Sequence, residues 1–227
     1  MTGSSKRWRR RSGTCRKCLA GDPGERFRAG LETGAHLGPL PVLSLAKGYL
    51  SSKTNQFPGT AWFRGNSAMI VLGIDPGLAI VGYGILEVEN GRSRAVCYDC
   101  IRTSGREKGT PERLEEIYRG ISDLIRHYRP AWLAMEKLFF SRNVTSAMNV
   151  SEVRGVILLA ACQNGVPVAE YTPNQVKQAI TGSGKADKRQ MQEMIRRLLD
   201  LPAIPRPDDV ADGLSVALCH IHVMRSP

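Results

Sequence analysis

Met69-Ile70-Val71-Leu72-Gly73-Ile74-Asp75-Pro76-Gly77 is the stretch on which the reading of this chain turns. Six apolar or small residues run without interruption into one carboxylate. A run of this kind marks a strand buried on both faces, and Pro76-Gly77 stops it. Val81 to Glu89 and Arg94 to Thr103 read as two further strands, joined at Asn90-Gly91, a strong hairpin signal. The period then changes. Thr110-Pro111-Glu112 opens a helix, with Thr as N-cap and Pro in the first turn. Leu114, Ile117, Ile121, Leu124, Ile125 and Tyr128 form its apolar stripe, and Arg129-Pro130 ends it. Ala131 to Leu138 is another buried strand, this one carrying Glu136. A helix follows from about Thr145 to Asn164, then a short strand from Pro167 to Tyr171. Three more helices are expected near 173–181, 186–200 and 208–224. The order β-β-β-α-β-α-β-α-α-α describes one α/β domain over residues 69–227, with no internal repeat.

Composition agrees with a folded domain. The chain has 227 residues, 42% apolar and 23% charged, which excludes a mostly disordered or collagen-like protein. No uncharged apolar run approaches the ~20 residues of a membrane span. The net charge of +11 is unevenly placed. Residues 1–68 hold 12 Lys/Arg against 3 Asp/Glu, and residues 69–227 hold 20 against 18. The first 68 residues, rich in Gly, Ser, Pro and Arg, show no period of strand or helix. They are expected to be a disordered or mis-assigned extension, with Met69 as the native start. An inert tail and a phosphate-touching basic arm are the other readings. The C-x-x-C pair Cys97/Cys100 falls on a strand, where positions i and i+3 point to opposite faces, so it does not converge on zinc. Cys162 and Cys219, on apolar helices, are expected to be core thiols. Nothing indicates disulfides, so a reducing, cytoplasmic setting is the default.

Four carboxylates stand in unusual places. Asp75 ends an otherwise apolar strand, and Glu136 lies inside Trp132-Leu133-Ala134-Met135-Glu136. Asp209 and Asp212, spaced i, i+3, share one face of the last helix. Taken singly, each has an ordinary explanation. Asp75 before Pro-Gly suits a turn, Asp208, Asp209 and Asp212 suit a helix N-terminus, and Glu136 could pair with Lys137 or an arginine. Taken together they make a hard-oxygen cluster if the two strands are adjacent and the last helix crosses their ends. Such a cluster suits Mg²⁺, with Mn²⁺ as a substitute. Two such ions about 3.5–4 Å apart can activate water and stabilise the leaving oxygen in phosphodiester cleavage.

Several motifs, in order, carry a resemblance. Gly73-Ile74-Asp75-Pro76-Gly77, Gly82-Tyr83-Gly84 and Cys100-Ile101-Arg102-Thr103 are similar to the opening of the RuvC Holliday-junction resolvases. So are Glu136-Lys137-Leu138-Phe139-Phe140, Ala169 to Lys177, and Asp209-Val210-Ala211-Asp212-Gly213-Leu214. The resemblance runs from Met69 to about Arg225 and leaves residues 1–68 without a counterpart. It implies a ribonuclease-H-like fold, a five-stranded mixed sheet flanked by helices in a single domain. It implies a homodimeric, Mg²⁺-dependent endonuclease that nicks opposed strands of four-way junction DNA, in recombination and repair. The RuvA and RuvB branch-migration proteins would be its partners. Carried over by position, the catalytic and metal carboxylates are Asp75, Glu136, Asp209 and Asp212, with two ions per site. Asp208 falls one place early and is left out.

The same resemblance assigns Lys177 and Lys188 to the scissile phosphate and Phe139 to unpaired bases at the junction centre, where an aromatic can stack or wedge. Phe140 reads as a core aromatic. Arg189, Arg196 and Arg197 are expected only to solubilise a helix face. The helix around Val153 to Ala161, apolar nearly all round, is expected to contribute to a two-fold dimer. Two alternatives remain: another ribonuclease-H-like nuclease acting on RNA, and a non-catalytic junction-binding module. The motifs around Phe139 and Val176-Lys177 speak against the first. A binder gains nothing from four carboxylates facing phosphate, which speaks against the second.

Overall fold

The computed structural model describes residues 68–106, 108–137 and 144–225, with the backbone alone at 144–146. Phe139 and Phe140 lie outside these residues, as does nearly all of the segment 1–68. Five strands are present: β1 Met69–Asp75, β2 Ile80–Glu89, β3 Arg92–Arg102, β4 Trp132–Glu136 and β5 Val168–Tyr171. The helices are α1 Thr110–Tyr128, α2 Val144–Gln163, α3 Pro173–Thr181, α4 Lys188–Leu198 and α5 Asp208–Arg225. The strand order is β3-β2-β1-β4-β5. β1–β2 and β2–β3 are antiparallel, while β1–β4 and β4–β5 are parallel. The mixed five-stranded sheet flanked by helices, in one domain, is as expected.

The hairpin turns where the sequence places it. Asn90 has φ 49° and Gly91 φ 76°, the left-handed pair that a two-residue hairpin turn needs. The helix starts differ in detail. Gly109, not Thr110, is the N-cap of α1, and no side chain caps it. Pro111 fixes the first turn instead, so the missing hydroxyl cap is tolerated. Helices α3 and α4 each open with a capping box, Thr172 with Gln175 and Asp187 with Gln190. Each such cap contributes about 1 kcal/mol. The second one fixes Lys188 at the first helical position of α4.

The sheet has two apolar faces. On one, Leu72, Ile74, Tyr83, Ile85, Leu133 and Met135 pack against Ile117 and Ile121 of α1 and Val153 and Ile157 of α2. On the other, Val71, Leu86, Trp132 and Ala134 pack against Leu214, Ala217 and Ile221 of α5, with Val176 and Ile195 behind. Each large side chain so buried contributes ~1.5–3 kcal/mol. Helix α5 lies almost on the strands. A Cβ at Gly73 would stand 2.1 Å from the Gly213 carbonyl, and one at Gly82 would stand 1.9 Å from the Asp209 carbonyl. Only glycine admits a helix backbone this close. Farther along, His220 meets Trp132 and Tyr171, so α5 crosses the sheet diagonally from β2 toward β5.

The cysteines divide. Cys97 joins the α1 face, while Cys100 pairs with Gly82 across the sheet under α5, so the two do point apart. Cys219 is buried as expected. Cys162 is exposed, correcting the expectation of a core thiol. From Val156 onward helix α2 is apolar on all sides up to Cys162, and that stretch does not reveal which side faces out. Cys100 is a free thiol, as expected. Among the described residues no helix is long and apolar enough to cross a membrane.

Candidate active site

The site forms where β1 and β4 end side by side. Gly73 is level with Ala134 and Ile74 with Met135, so the next residues, Asp75 and Glu136, are neighbours. Both side chains alternate onto the α5 face. Across the hairpin Asp75 pairs with Gly82, and the backbone of Asp209 lies against that glycine. One turn on, Asp212 projects into the same space. Strand pairing therefore sets two carboxylates, and a helix allowed in by glycine sets the other two. The turn after Asp75 is clipped from β3: Thr103 N–H donates to the Ala79 carbonyl at 3.1 Å and its hydroxyl to the Leu78 carbonyl at 2.5 Å. Arg113 Nε donates to the same hydroxyl at 2.8 Å. The motif ending in Thr103 is thus a brace for the strand end that carries Asp75.

The electrostatics are those of crowded, partly desolvated carboxylates. Burial, then the charges of Asp212, Glu136 and Asp209, push Asp75 up to about 7, with Lys188 opposing. Burial and Asp212 raise Glu136, while Lys177 lowers it. Asp212 is raised chiefly by burial, against the pull of Lys188. Like charges held this way are costly without a cation. Lys188 supplies one: Nζ is 3.1 Å from Asp208 and 3.8 Å from Asp212. A cleft of about 290 Å³ opens beside them, lined by Glu136, Val176, Lys177, Lys188, Asp212 and Ser215, among others.

Of the residues singled out from sequence, Asp75, Glu136, Asp209, Asp212, Lys177 and Lys188 converge here, and Phe139 lies outside the described residues. Two further neighbours matter: Asp208, which the sequence reading set aside, and Arg154, which it did not single out. Asp208 holds Lys188, accepts from Gln192 Nε2 at 2.9 Å and pairs with Arg206 at 3.1 Å. Its adjacency to Asp209 was the available sign. Arg154, on α2, donates to the main-chain carbonyl of Glu136 and to the Glu170 carboxylate. Arg196 and Arg197 pair with Glu193, as solubilising residues would.

The donor chemistry fits a hard divalent cation, being all carboxylate. Among the described residues the side chains do not close into a ready cage of three or more ligands. Mg²⁺ does not require one, since it keeps several waters and is bound through one or two carboxylates plus substrate phosphate.

Residues 71–220 match the family described as crossover junction endodeoxyribonuclease RuvC. A crossover junction endodeoxyribonuclease RuvC of Moorella thermoacetica is 55% identical over 152 residues, covering 67% of this chain and 90% of the relative. That of Desulforamulus reducens is 52% identical over 154 residues, covering 67% and 93%. Among solved structures, Thermus thermophilus RuvC in complex with Holliday junction substrate superposes with a TM-score of 0.66 at 37% identity, covering 69% of this chain and 95% of that one. The yeast mitochondrial Holliday junction resolvase Ydc2, at 12% identity and TM-score 0.51, shares the fold. With matches across nearly the whole described domain, in a ribonuclease-H-like fold, this chain belongs to the RuvC family of crossover junction endodeoxyribonucleases.

Proposed function

We propose that this chain resolves Holliday junctions, cutting two opposed strands of four-way DNA by Mg²⁺-dependent phosphodiester hydrolysis during recombination and repair, in the cytoplasm. The observation that carries this reading is the meeting of Asp75, Glu136, Asp209 and Asp212 at one open sheet end, with Asp75 raised to about 7 by burial and its neighbours. Mg²⁺, two ions per site with Mn²⁺ substituting, would be held by these four and supplies Lewis-acid stabilisation of the attacking and leaving oxygens. The residues of the chain do the rest. Lys177 and Lys188 stand at the cleft beside Glu136 and Asp212, where a backbone phosphate would meet positive charge. Lys188 balances the carboxylates until substrate arrives, because Asp208 and Asp212 both hold it. Phe139, three residues beyond Glu136, wedges or stacks on bases at the junction centre. The domain of residues 69–227 carries the activity, and residues 1–68 are dispensable for it.

Two cuts in opposed strands call for two sites, and helix α2 supplies a surface to pair them. Met148, Leu158 and Leu159 are 61%, 37% and 52% exposed, and Gly155 between them has open space around its Cα. With Cys162 they fall on one helical stripe. A second copy covering this stripe makes a homodimer with two-fold symmetry, matching the junction. RuvA and RuvB complete the set of partners by family membership. The test is the full-length chain with an end-labelled four-way junction, a linear duplex and an RNA hairpin, each with and without Mg²⁺. Symmetric paired nicks confined to the junction with Mg²⁺ are expected. Cleavage of the RNA instead, or junction binding without any nicking in Mg²⁺, would overturn the reading.

A further inference from the structure

The carboxylate of Glu136 reaches the site from the last residue of β4, where the sheet's own hydrogen bonding runs out. Beyond it, Lys137 N–H still donates to the Tyr171 carbonyl at 2.7 Å, but the carbonyl of Glu136 itself is taken by a side chain. That side chain is Arg154, from the middle of α2. One guanidinium nitrogen donates to the Glu136 carbonyl and another to the Glu170 carboxylate on β5. The side chain of Arg154 is only 13% exposed, against 34% for Glu170. A charge held so far from water is costly unless its fork is filled. Here it is filled by two groups on neighbouring strands. Glu170 is level with Met135, one step before Glu136, so the fork spans the β4–β5 seam at the site's edge.

We infer that Arg154 is a positioning residue of the metal site, its fork across the Glu136 carbonyl and Glu170 fixing the strand end that aims the Glu136 carboxylate at Asp75 and Asp212. This rests on the proposed reading of those carboxylates as metal ligands. Outer groups that orient a ligand usually matter to metal affinity by about 10–100-fold. Arg154 does so through the main chain, one bond path away from the carboxylate it steadies. It also joins two parts of the molecule. Arg154 points inward from the helix whose outer stripe carries Leu158 and Leu159, so a partner seated on that stripe steadies the arginine and the site together.

The experiment measures Mn²⁺ binding by calorimetry on the full-length chain without DNA, for wild type, Arg154→Met, Arg154→Lys, Glu170→Gln and Glu136→Gln. Thermal unfolding, sedimentation and metal-free junction affinity are read alongside, with the Mg²⁺ concentration for half-maximal nicking. Arg154→Met keeps the apolar stem and should weaken Mn²⁺ about tenfold, raising the Mg²⁺ requirement by the same factor, with metal-free junction affinity unchanged. Arg154→Lys should recover part of this, and Glu170→Gln should lose less than Arg154→Met, because the carbonyl contact survives. Folded Arg154→Met with wild-type Mn²⁺ affinity would overturn the inference. So would a loss that tracks only a lowered unfolding midpoint or dissociation of the dimer. If Arg154→Met does not fold, Arg154→Lys and Glu170→Gln decide by the same readings. Mn²⁺ binding unchanged by Glu136→Gln would count against the ligand reading itself rather than against Arg154.

Discussion

Helices α2 and α5 look alike in sequence and fare differently in the fold. Both are apolar around most of their circumference. In α5 an unbroken run from Val210 to Ile221 is buried, apart from Asp212, because glycines in β1 and β2 let it lie on the sheet. In α2 Ala147, Val153, Ile157, Ala160 and Ala161 are buried, while Met148, Leu158 and Leu159 stay in solvent. A helix that is apolar all round needs cover all round. The chain itself covers α5, and the first turn of that helix delivers Asp209 and Asp212 to the site. It leaves half of α2 uncovered, and a second copy is the proposed cover.

The largest effect should come from breaking the close seating of α5. Gly82→Val puts a branched side chain where the Asp209 carbonyl already lies, so the helix must lift. Overpacking of this kind costs about 3 kcal/mol or more. Chemical denaturation should show that loss, or no folded protein at all. A well-folded Gly82→Val with wild-type stability would mean that α5 does not need the glycine.

The matching change in α2 should leave the monomer alone. Leu159→Glu places a charge on the exposed stripe and should raise the dimer dissociation constant about a hundredfold, near 3 kcal/mol. The unfolding free energy of the monomer should move by no more than about 0.5 kcal/mol. Sedimentation across a concentration series separates the two quantities. An unchanged dimer would remove α2 from the interface, and with it the contrast between the helices.

A smaller, pH-dependent effect belongs to α5. His220 is buried against Trp132, and its Nδ1 shares a 2.7 Å hydrogen bond with the Tyr171 hydroxyl. Burial pulls its pKa from 6.5 down to about 4. Between those values the unfolded chain takes up a proton that the folded one refuses. The contribution is therefore whole above pH 6.5 and is lost as pH falls toward 4. The slope approaches one proton, about 1.4 kcal/mol per pH unit at its steepest. His220→Gln should be less stable at neutral pH but should lack this part of the slope. Identical slopes in denaturation series for the two proteins would show that His220 does not titrate in this way.

What the sequence revealed follows the range of the interaction. The strand Met69–Asp75, the Asn90-Gly91 turn and the pair Asp209/Asp212 depend on neighbours in the chain, and all were readable. The convergence of the carboxylates was readable because an acid inside an apolar run is itself a signal. The same logic applies to Arg154, a lone cation in the apolar helix around it, but its partners sit 16 and 18 residues away and no local pattern points to them. The grip of Asp208 on Lys188 likewise depends on the packing of α4 against α5. The outward stripe of α2 is hidden for the opposite reason: the stretch from Val156 to Cys162 is apolar on every side and has no face to read, and Cys162, expected in the core, is exposed.

The proposed function stands or falls with the crowded carboxylates at the ends of β1 and β4, with those of α5, forming one metal-dependent cutting site. The most direct measurement is the single-turnover nicking rate of Asp75→Asn on a labelled four-way junction in Mg²⁺, with both proteins saturating the DNA. The expected rate is at least about a thousandfold lower, some 4 kcal/mol of lost transition-state stabilisation. Metal-free junction affinity should equal wild type or be tighter, since one negative charge facing phosphate is gone. An Asp75→Asn protein that keeps more than about 5% of the wild-type rate, well above the thousandfold loss, would contradict the proposed function.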